Sequence, residues 1–267
     1  MKKYLNLLFL SISITVHAQI EVTYVQNYQF DSTDIKSKKS FVMKLFVFDE
    51  KSIFISENRM YNDSVALNFN VNSIDITKPI NFNTRPDANK EIIVIENSSS
   101  VLKQYFRFGN KENYLFNDTL MPHWIIINKD TILNDIKCKK ATTIFKGRSY
   151  TAWFSLIHSI PLGPYKFRGL PGLIIKIEDA KKMICYELQS IKTSNRNFAD
   201  ILLIKNEPKI VTDTLEKANL VKRSFLLPLN KMLLDMGGIN AEDRERIERE
   251  QDLKEKKYNN PIELNNE

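Results

Sequence analysis

The sequence predicts a mainly β protein, with a single antiparallel curved sheet or open half-barrel and a C-terminal helical extension. Residues 20–30 alternate between apolar and polar side chains, which is typical of a half-buried strand. Further short apolar runs follow, separated by turn residues, as in an antiparallel sheet. No helical period of adequate length precedes Pro208, so the helical crossovers that parallel strands require are not expected. We therefore expect a domain that is antiparallel throughout over residues 19–207 and a helical extension over residues 208–267.

The individual strands are predicted from the same patterns. Residues 41–48 are apolar on both faces except for Lys44, which favours a central strand that is covered on both sides. Residues 61–88 are rich in Asn, Asp, Ser and Pro, and contain only short β-like pieces at 65–69 and 71–77. The remaining strands are predicted over residues 52–56, 91–96, 101–108, 112–116, 124–128, 136–146, 150–154, 173–178 and 183–189.

Glycine and proline predict how the strands connect. Gly109-Asn110 is typical of a tight hairpin loop, and Gly147-Arg148 is predicted to turn the hairpin that follows residue 136. Residues 179–182 are predicted to turn the last hairpin. Leu170-Pro171-Gly172 predicts a type II turn, because proline fixes φ at about −65° at the second position and glycine supplies a positive φ at the third.

The C-terminal extension is predicted to contain three helices. Apolar residues recur at helical spacing over residues 214–227, and Pro228 is expected to open a second helix that ends at Gly237-Gly238. Asn240 can cap a third helix that runs to about residue 257. This third helix carries several pairs of opposite charge four residues apart but only two apolar residues for a core, so we expect a solvated arm.

The first eighteen residues predict a secretory signal peptide, residues 1–18. Two lysines follow Met1, residues 5–16 carry no charge, and Val16-His17-Ala18 is a small-x-small cleavage site. The apolar run is shorter than the ~20 residues that a transmembrane helix needs, so we expect no transmembrane segment in the mature chain. Because Gln19 follows the cleavage site and no cysteine does, we expect a periplasmic or secreted protein that is not a lipoprotein.

Net charge and cysteine content limit the classes of function that the chain can have. The net charge of +7 over 267 residues is too mild an excess for a typical nucleic-acid-binding protein. Cys138 and Cys185 are the two cysteines, and an even pair in an oxidising compartment predicts a disulfide. The alternative is two buried free thiols. Neither cysteine has the C-x-x-C spacing of a metal site, so no metal is predicted.

No motif predicts a catalytic or cofactor site. His123 and His158 are the histidines that remain after the signal peptide, and they lack the H-x-H or H-E-x-x-H spacing of a metal site. Ser155 and Ser159 lie near His158 in the chain, but the G-x-S-x-G nucleophile elbow is absent. Neither G-x-G-x-x-G nor a phosphate loop occurs. We therefore expect no catalytic residues and no cofactor.

Turn residues are concentrated between residues 141 and 179, which hold four of the seven glycines. The hexapeptide Gly-Leu-Pro-Gly-Leu-Ile at residues 169–174 is the one for which the GLPGLI family, secreted proteins of Gram-negative bacteria, is named, and this chain resembles that family. The other matching segments are Cys138-x-Lys-Ala141, Phe145-x-Gly-Arg148, Tyr150-x-Ala-Trp153-Phe154, Ile160-Pro161, Gly163-Pro164-x-Lys166-Phe167 and the closing Asn260-Pro-Ile-Glu-Leu264.

The resemblance implies no catalytic residues, because members of the family are largely of unknown function. Its central motif can be interpreted as the turn that starts a central strand or as a recognition surface. His158-Ser159 departs from the family pattern, in which an acidic or small residue is expected more often. The residues of the structural motif are Gly163, Pro164, Gly169, Leu170, Pro171 and Gly172.

Basic residues are also concentrated here. Residues 137–168 contain seven Lys or Arg and no Asp or Glu. If the turn near Arg148 and the loop at 165–168 share one side of the sheet, they form a basic, aromatic-edged surface that suits a phosphate or carboxylate. The alternative is a solvated strand face whose lysines discourage edge pairing. The candidate ligand-binding residues are Arg148, Trp153, Tyr165, Lys166, Phe167 and Arg168. Reversing the charge of the two arginines and Lys166 is then expected to abolish binding without loss of thermal stability.

Three function classes follow from these observations. The first is a non-enzymatic accessory or binding protein of the periplasm or cell envelope, with an outer-membrane receptor, an anionic glycan or a lipid head group as its partner. The second is a carrier of lipids or lipoproteins, in which the aromatic-rich concave face of the sheet holds an acyl chain. The third is a hydrolase. No nucleic-acid partner is expected.

Overall fold

The computed structural model describes residues 19–68, 84–86, 91–96, 101–108, 112–201, 209–212, 249 and 259–264. Their main feature is one open sheet of twelve strands. The strands are β1 (Gln19–Gln29), β2 (Lys38–Val47), β3 (Lys51–Ser56), β4 (Glu91–Glu96), β5 (Leu102–Phe108), β6 (Glu112–Asp118), β7 (Ile125–Leu133), β8 (Ile136–Phe145), β9 (Arg148–Ser155), β10 (Leu173–Asp179), β11 (Ile184–Ser194) and β12 (Lys209–Thr212). The helices are α1 (Glu57–Asn68), α2 (Phe198–Ile201) and a 3-10 turn at Ile35–Ser37.

The sheet confirms the predicted mainly β, antiparallel fold. Its strand order is β12-β6-β5-β4-β3-β2-β1-β11-β10-β9-β8-β7. From β1 the chain moves outward strand by strand to β6, then starts again at the opposite edge with β7 and returns to β11 beside β1. β1 therefore joins the two halves of the sheet. The predicted hairpins β8–β9 and β10–β11 pair antiparallel as expected.

The last strand is an exception to the expectation of an antiparallel sheet throughout. β12 pairs in parallel with β6 and lies in the segment for which a helical extension is predicted. The helices predicted from residue 214 to residue 257 lie outside the described residues, apart from Arg249, which is helical. In the described part of the chain, no helix has the length and apolar character to cross a membrane.

Helix α1 corrects the prediction of a β-like piece at residues 65–69, since residues 65–68 are helical. The Ser56 hydroxyl accepts a hydrogen bond from the Arg59 amide at 3.2 Å and so caps the first turn. Arg59 and Asp63, four residues apart, form a buried ion pair at 2.8 Å. The Ser-Glu-Asn-Arg start is the helix signal that the strand pattern obscured. The piece predicted at 71–77 and the loop at Gly109-Asn110 lie outside the described residues.

The hairpin turns of β7 to β9 use two residues each in left-handed backbone. Asn134 and Asp135 have φ of 50° and 60° between β7 and β8, and Lys146 and Gly147 have φ of 50° and 76° between β8 and β9. This pair of positive φ angles is typical of two-residue hairpin loops. The turn predicted at Gly147-Arg148 is therefore one residue too late, and Arg148 is the first residue of β9.

Gly172 does not form the predicted type II turn, because its φ lies outside the left-handed region. Glycine is required there for another reason. β10 starts by pairing Leu173 with Ser155 of β9, which presses Gly172 against the β9 backbone. A Cβ atom on Gly172 would lie 2.0 Å from the Ser155 carbonyl oxygen.

Each face of the sheet has its own apolar cluster. Met43 and Leu45 of β2 belong to the larger cluster, on what we call the inner face, whereas Phe46 belongs to a smaller cluster on the outer face. The prediction that residues 41–48 form a central strand covered on both sides is thus confirmed. The inner face is covered by the segment between β9 and β10, and the outer face of β2 to β4 packs against α1 and α2.

The sheet curls strongly along its length. Asp118 at the end of β6 and Lys146 at the turn between β8 and β9 lie nine strand positions apart in the sheet order. A flat sheet would separate them by about 40 Å at ~4.8 Å per strand. Their side chains nevertheless form an ion pair at 3.1 Å. The two halves therefore curve toward each other around the inner face, which the intervening segment fills.

The predicted disulfide is wrong. Cys138 and Cys185 are both buried free cysteines. Cys138 lies on β8 and Cys185 on β11, three strand spacings apart. That separation is about 14 Å, whereas the Cα atoms of a disulfide lie within about 7 Å. Burial raises the pKa of both thiols and so disfavours the reactive thiolate.

We expect two free thiols per chain when the protein is denatured without reductant. The reason is the separation of the two strands, which no side-chain rotation can overcome. Titration with a thiol reagent in denaturant measures the number directly, and a sample reduced beforehand should give the same value. A reading near zero in the unreduced sample would contradict the observed strand order.

Candidate functional site

The structure places five of the six predicted ligand-binding residues together, but beneath the surface. Arg148, Tyr165 and Lys166 are between 0% and 7% exposed, as are Phe167 and Arg168. Trp153 is half-buried and packs against the inner-face cluster, to which Tyr150, Ala152 and Phe154 of the same strand belong. The expected solvent-facing basic surface is therefore wrong, since most of its cations are buried in the folded chain.

Lys166 lies at the centre of a buried charge cluster, which we define as Asp118, Lys146, Lys166 and Glu263. Its ammonium group is 2.9 Å from Asp118 Oδ2 and 2.6 Å from Glu263 Oε1, and its side chain is fully buried. Lys146 approaches Asp118 Oδ2 to 3.1 Å. Two lysines thus face two carboxylates where water is excluded.

The pKa values within the cluster show that pairing outweighs burial. Burial acts to raise the pKa of Asp118, but the nearby Lys166 more than offsets it and the net pKa is below its usual value. Burial likewise acts to lower the pKa of Lys166, but Glu263 and Asp118 raise it above its usual value. Asp118 and Lys166 are therefore both ionised in the resting state.

Arg148 holds the C-terminal strap, which we define as residues 259–264. Its guanidinium group donates to the carbonyl oxygen of Ile262 at 3.1 Å and to that of Pro261. It also contacts the Asn260 side chain and lies 3.4 Å from Asp179, whose carboxylate is buried. One planar cation thus ties the last residue of β10 to the strap.

The strap makes further contacts with the end of β1 and the residue after it, and with the turn between β8 and β9. The Asn260 amide donates to the Phe30 carbonyl at 3.1 Å, and the Leu264 amide donates to the Lys146 carbonyl at 2.9 Å. The Tyr28 hydroxyl donates to the Asn260 carbonyl, and burial raises the pKa of this tyrosine to about 12. Residues 260–264, the last segment that resembles the family pattern, are therefore packed against the sheet.

The segment between β9 and β10 fills the inner face. Leu162, Phe167 and Leu170 belong to the inner-face cluster, and the Phe167 ring lies 4.7 Å from that of Tyr150. The Ile174 carbonyl accepts a hydrogen bond from the Tyr24 hydroxyl at 2.7 Å. These contacts support the interpretation of the glycine and proline motif as a structural element that starts β10.

A separate cavity of about 540 Å³ opens on the outer face, over β1, β2, α1 and α2. We call it the Glu21 cavity after the carboxylate in its floor, which is 6% exposed. Its charged lining residues are the cations Lys44, Arg85, Lys192 and Arg196 and the acids Glu21, Glu57 and Asp200. Phe46, Met60, Tyr61 and Ile201 contribute apolar surface.

Two lysines determine the charge of the cavity floor. Glu21 Oε1 lies 3.0 Å from Lys44 Nζ and 3.2 Å from Lys192 Nζ. Burial acts to raise the pKa of Glu21, but the hydrogen bonds from both lysines outweigh it and the net pKa is lowered. At the rim, the Arg85 guanidinium stacks 3.9 Å above the Tyr61 ring. The arrangement can hold a polar ligand that carries negative charge and a flat apolar face.

Neither the charge cluster nor the cavity has a local sequence signal. Asp118 and Glu263 belong to segments far from Lys166, and the ordinary strand pattern of β1 hides Glu21 among surface acids. The one sequence feature that indicated the cluster is the run of basic residues without acids over residues 137–168. Among the described residues there is no group of three or more His, Cys, Asp or Glu side chains that could hold a metal ion.

Comparison with known proteins identifies the fold alone. No family model and no curated protein matches the chain. Two solved structures of PNGF-II, in space groups P21 and C2, superpose with TM-scores of 0.57 and 0.56 at 14% identity, and each match covers 78% of this chain. The chain spans about a third of the length of those PNGF-II chains, with coverages of 34% and 33%. At this identity the likeness concerns the arrangement of strands.

Proposed function

We propose that the protein is an exported member of the GLPGLI family that acts as a non-enzymatic binding protein of the cell envelope, with an anionic glycan in the Glu21 cavity. The observation that carries this proposal is the lining of that cavity, in which four cations face three carboxylates. Its volume of about 540 Å³ falls within the range of small-ligand pockets, roughly 300–1,000 Å³.

The lining carries one more cation than carboxylate, and its two guanidinium groups lie at the rim. In the floor, Glu21 is already shared between Lys44 and Lys192. The Asp200 carboxylate accepts the Asn197 amide at 3.2 Å, at the start of α2. Arg85 and Arg196, both exposed, add two guanidinium groups that suit bidentate recognition of a carboxylate or sulfate. Acidic groups of a glycan would therefore bind at the rim.

A sugar ring explains the apolar part of the lining. Tyr61 and Met60 of α1 and Phe46 of β2 offer apolar surface beside the charges. By contrast, the acyl-chain carrier requires an open apolar face, and on the inner face Leu162, Phe167 and Leu170 of the chain itself occupy that position. The mixed charged and aromatic cavity supports a polar anionic ligand better than a lipid tail.

Oligogalacturonate is expected to bind the full chain, and the double variant Arg85→Glu, Arg196→Glu is expected to bind it at least tenfold more weakly. The reason is that two guanidinium contacts become two repulsive carboxylates. Calorimetric titration measures the affinity. Binding should also weaken as salt increases, because exposed charges are screened.

The matched control is Lys181→Glu, an exposed lysine in the turn after β10, at the opposite end of β1 from the cavity. It changes the net charge in the same direction and should leave the affinity unchanged. Neutral maltotriose should not bind. Binding to anionic vesicles without binding to the oligosaccharide, or full affinity in the double variant, would overturn the proposed glycan site.

A further inference from the structure

Lys166 lies between two carboxylates in a pocket that excludes water. The side chains of Lys166, Asp118 and Glu263 are 0%, 3% and 8% exposed. Two aromatic rings lie near the ammonium group, with the ring centroids of Phe116 and Tyr165 at 5.6 and 5.4 Å from Nζ. We propose that Lys166 and Asp118 join spontaneously in an intramolecular isopeptide bond, and that Glu263 transfers the proton which this reaction requires.

The geometry supplies the proximity that amide formation lacks in water. Lys166 Nζ lies 2.9 Å from Asp118 Oδ2, so the nucleophile is already in contact with the carboxyl group that it attacks. Holding two reacting groups in this way can be equivalent to a very high effective concentration. A dry site also favours the neutral amide product over a buried ion pair, because burial of charge is costly.

Glu263 is placed to accept the proton from the lysine. Its Oε1 atom is 2.6 Å from Lys166 Nζ, and the Tyr165 hydroxyl donates to the same oxygen at 2.6 Å, which fixes its orientation. Lys166 is charged in its resting state, and transfer of one proton to Glu263 converts it into a nucleophilic amine. Tyr165 is thus a positioning residue.

Asp118 has a distinct environment for each of its oxygens. Oδ1 accepts the Leu120 amide at 3.0 Å, whereas Oδ2 contacts both Lys166 and Lys146. The amine attacks Cγ, and the amide of Leu120 and the ammonium of Lys146 stabilise the negative charge that develops on the two oxygens. Oδ1 then remains as the amide carbonyl oxygen, and Oδ2 is the leaving oxygen.

The atoms and charges balance without any further reactant. The Nζ–Cγ bond forms and the Cγ–Oδ2 bond breaks. Of the three protons on the lysine ammonium, one stays on the amide nitrogen and two leave with Oδ2 as water, one of them by way of Glu263. One ammonium and one carboxylate therefore become one neutral amide, and Lys146 and Glu263 remain as a balanced pair.

The bond would join two parts of the fold that no strand pairing connects. Asp118 ends β6, and Lys166 belongs to the segment that fills the inner face. A covalent link there would fix that segment to the half of the sheet formed by β2 to β6. It would not depend on any ligand in the Glu21 cavity, so it stands or fails independently of the proposed function.

The test is the mass of the purified full chain, followed by peptide mapping. We expect a mass one water molecule below that of the sequence, and the peptides that contain Asp118 and Lys166 as one cross-linked species. In Asp118→Asn the same attack would release ammonia and give the same cross-linked product, which an ordinary ion pair cannot do. Lys166→Met should show the full mass of its own sequence.

Glu263→Gln should fold with the cross-link absent or formed at least tenfold more slowly. The control variant is Lys176→Met, which removes a half-exposed lysine that pairs with Glu178 and Glu187 and should leave the cross-link intact. If Glu263→Gln does not fold, the mass of the unaltered chain still decides. Separate peptides and a full mass after prolonged incubation of the folded protein would overturn the proposal.

Discussion

Replacing Gly172 by alanine is expected to lower the melting temperature by about 10 °C. The new Cβ would lie 2.0 Å from the Ser155 carbonyl oxygen, and both partners belong to the backbone, so β9 and β10 must separate. Overpacking of this kind costs about 3 kcal/mol, and each kcal/mol lowers the Tm of a chain of this size by roughly 2 to 4 °C. Thermal unfolding followed by circular dichroism measures the change.

Two matched variants separate close approach from turn geometry. Gly169→Ala tests a glycine with φ of 92°, where a Cβ would meet only the flexible Met121 side chain at 3.4 Å, so we expect a smaller loss of about 1 kcal/mol. Gly172→Asn should be at least as damaging as the alanine variant. A mild effect of asparagine would instead favour the type II turn, since asparagine tolerates a left-handed backbone.

Arg148→Met is expected to lower the free energy of unfolding by about 3 to 5 kcal/mol, which corresponds to a Tm lower by about 10 °C or more. The variant leaves the Asp179 carboxylate buried without its cation and removes the donors that hold the carbonyls of Pro261 and Ile262. Amide hydrogen exchange should also increase in the C-terminal strap. Denaturant titration measures the free energy, and mass spectrometry measures the exchange.

The controls for Arg148 vary its charge and shape separately. Arg148→Lys keeps the positive charge but loses the planar fork of donors, so an intermediate loss is expected. Arg196→Met removes an exposed arginine and should leave the Tm nearly unchanged. If the Tm of Arg148→Met differs from that of the unaltered chain by less than about 2 °C, the structural role of this residue is contradicted.

This expectation reverses one drawn from the sequence alone. A solvent-facing Arg148, Lys166 and Arg168 would tolerate charge reversal without loss of stability. All three are at most 7% exposed, Arg148 and Lys166 pair with Asp179 and Asp118, and Arg168 also interacts electrostatically with Asp118. Charge reversal would place like charges in contact beneath the surface, so we expect unfolding and not merely loss of binding.

The strands were predictable because their pattern is local. Apolar alternation and turn residues identify β1, β8 and β11 from a few neighbours in the chain. The same rule misassigned residues 65–68, where a serine cap and the Arg59–Asp63 pair favour a helix over a short apolar pattern. Turn positions were off by one at residue 147 because glycine can occupy either position of a two-residue loop.

The charged sites were not predictable because their partners are remote in sequence. Lys166 meets Asp118 and Glu263 only after the sheet has curled, and composition gives no measure of curvature. A run of basic residues without acids therefore looked like a surface. The disulfide prediction was wrong for a related reason. An even number of cysteines and an oxidising compartment do not indicate how many strands separate the two cysteines in the sheet.

The C-terminal strap also has a consequence for synthesis. The hydrogen bond between Arg148 and Asn260 cannot form until 112 more residues have been synthesised, and the one between Tyr28 and Asn260 requires 232 more. At a translation rate of about 5 to 20 residues per second, the first interval lasts on the order of ten seconds. A growing chain therefore lacks the strap contacts of Arg148 and Tyr28 long after β1 and β2 have left the ribosome. A chaperone that binds the chain during this interval would contact a sheet whose inner face is still incomplete.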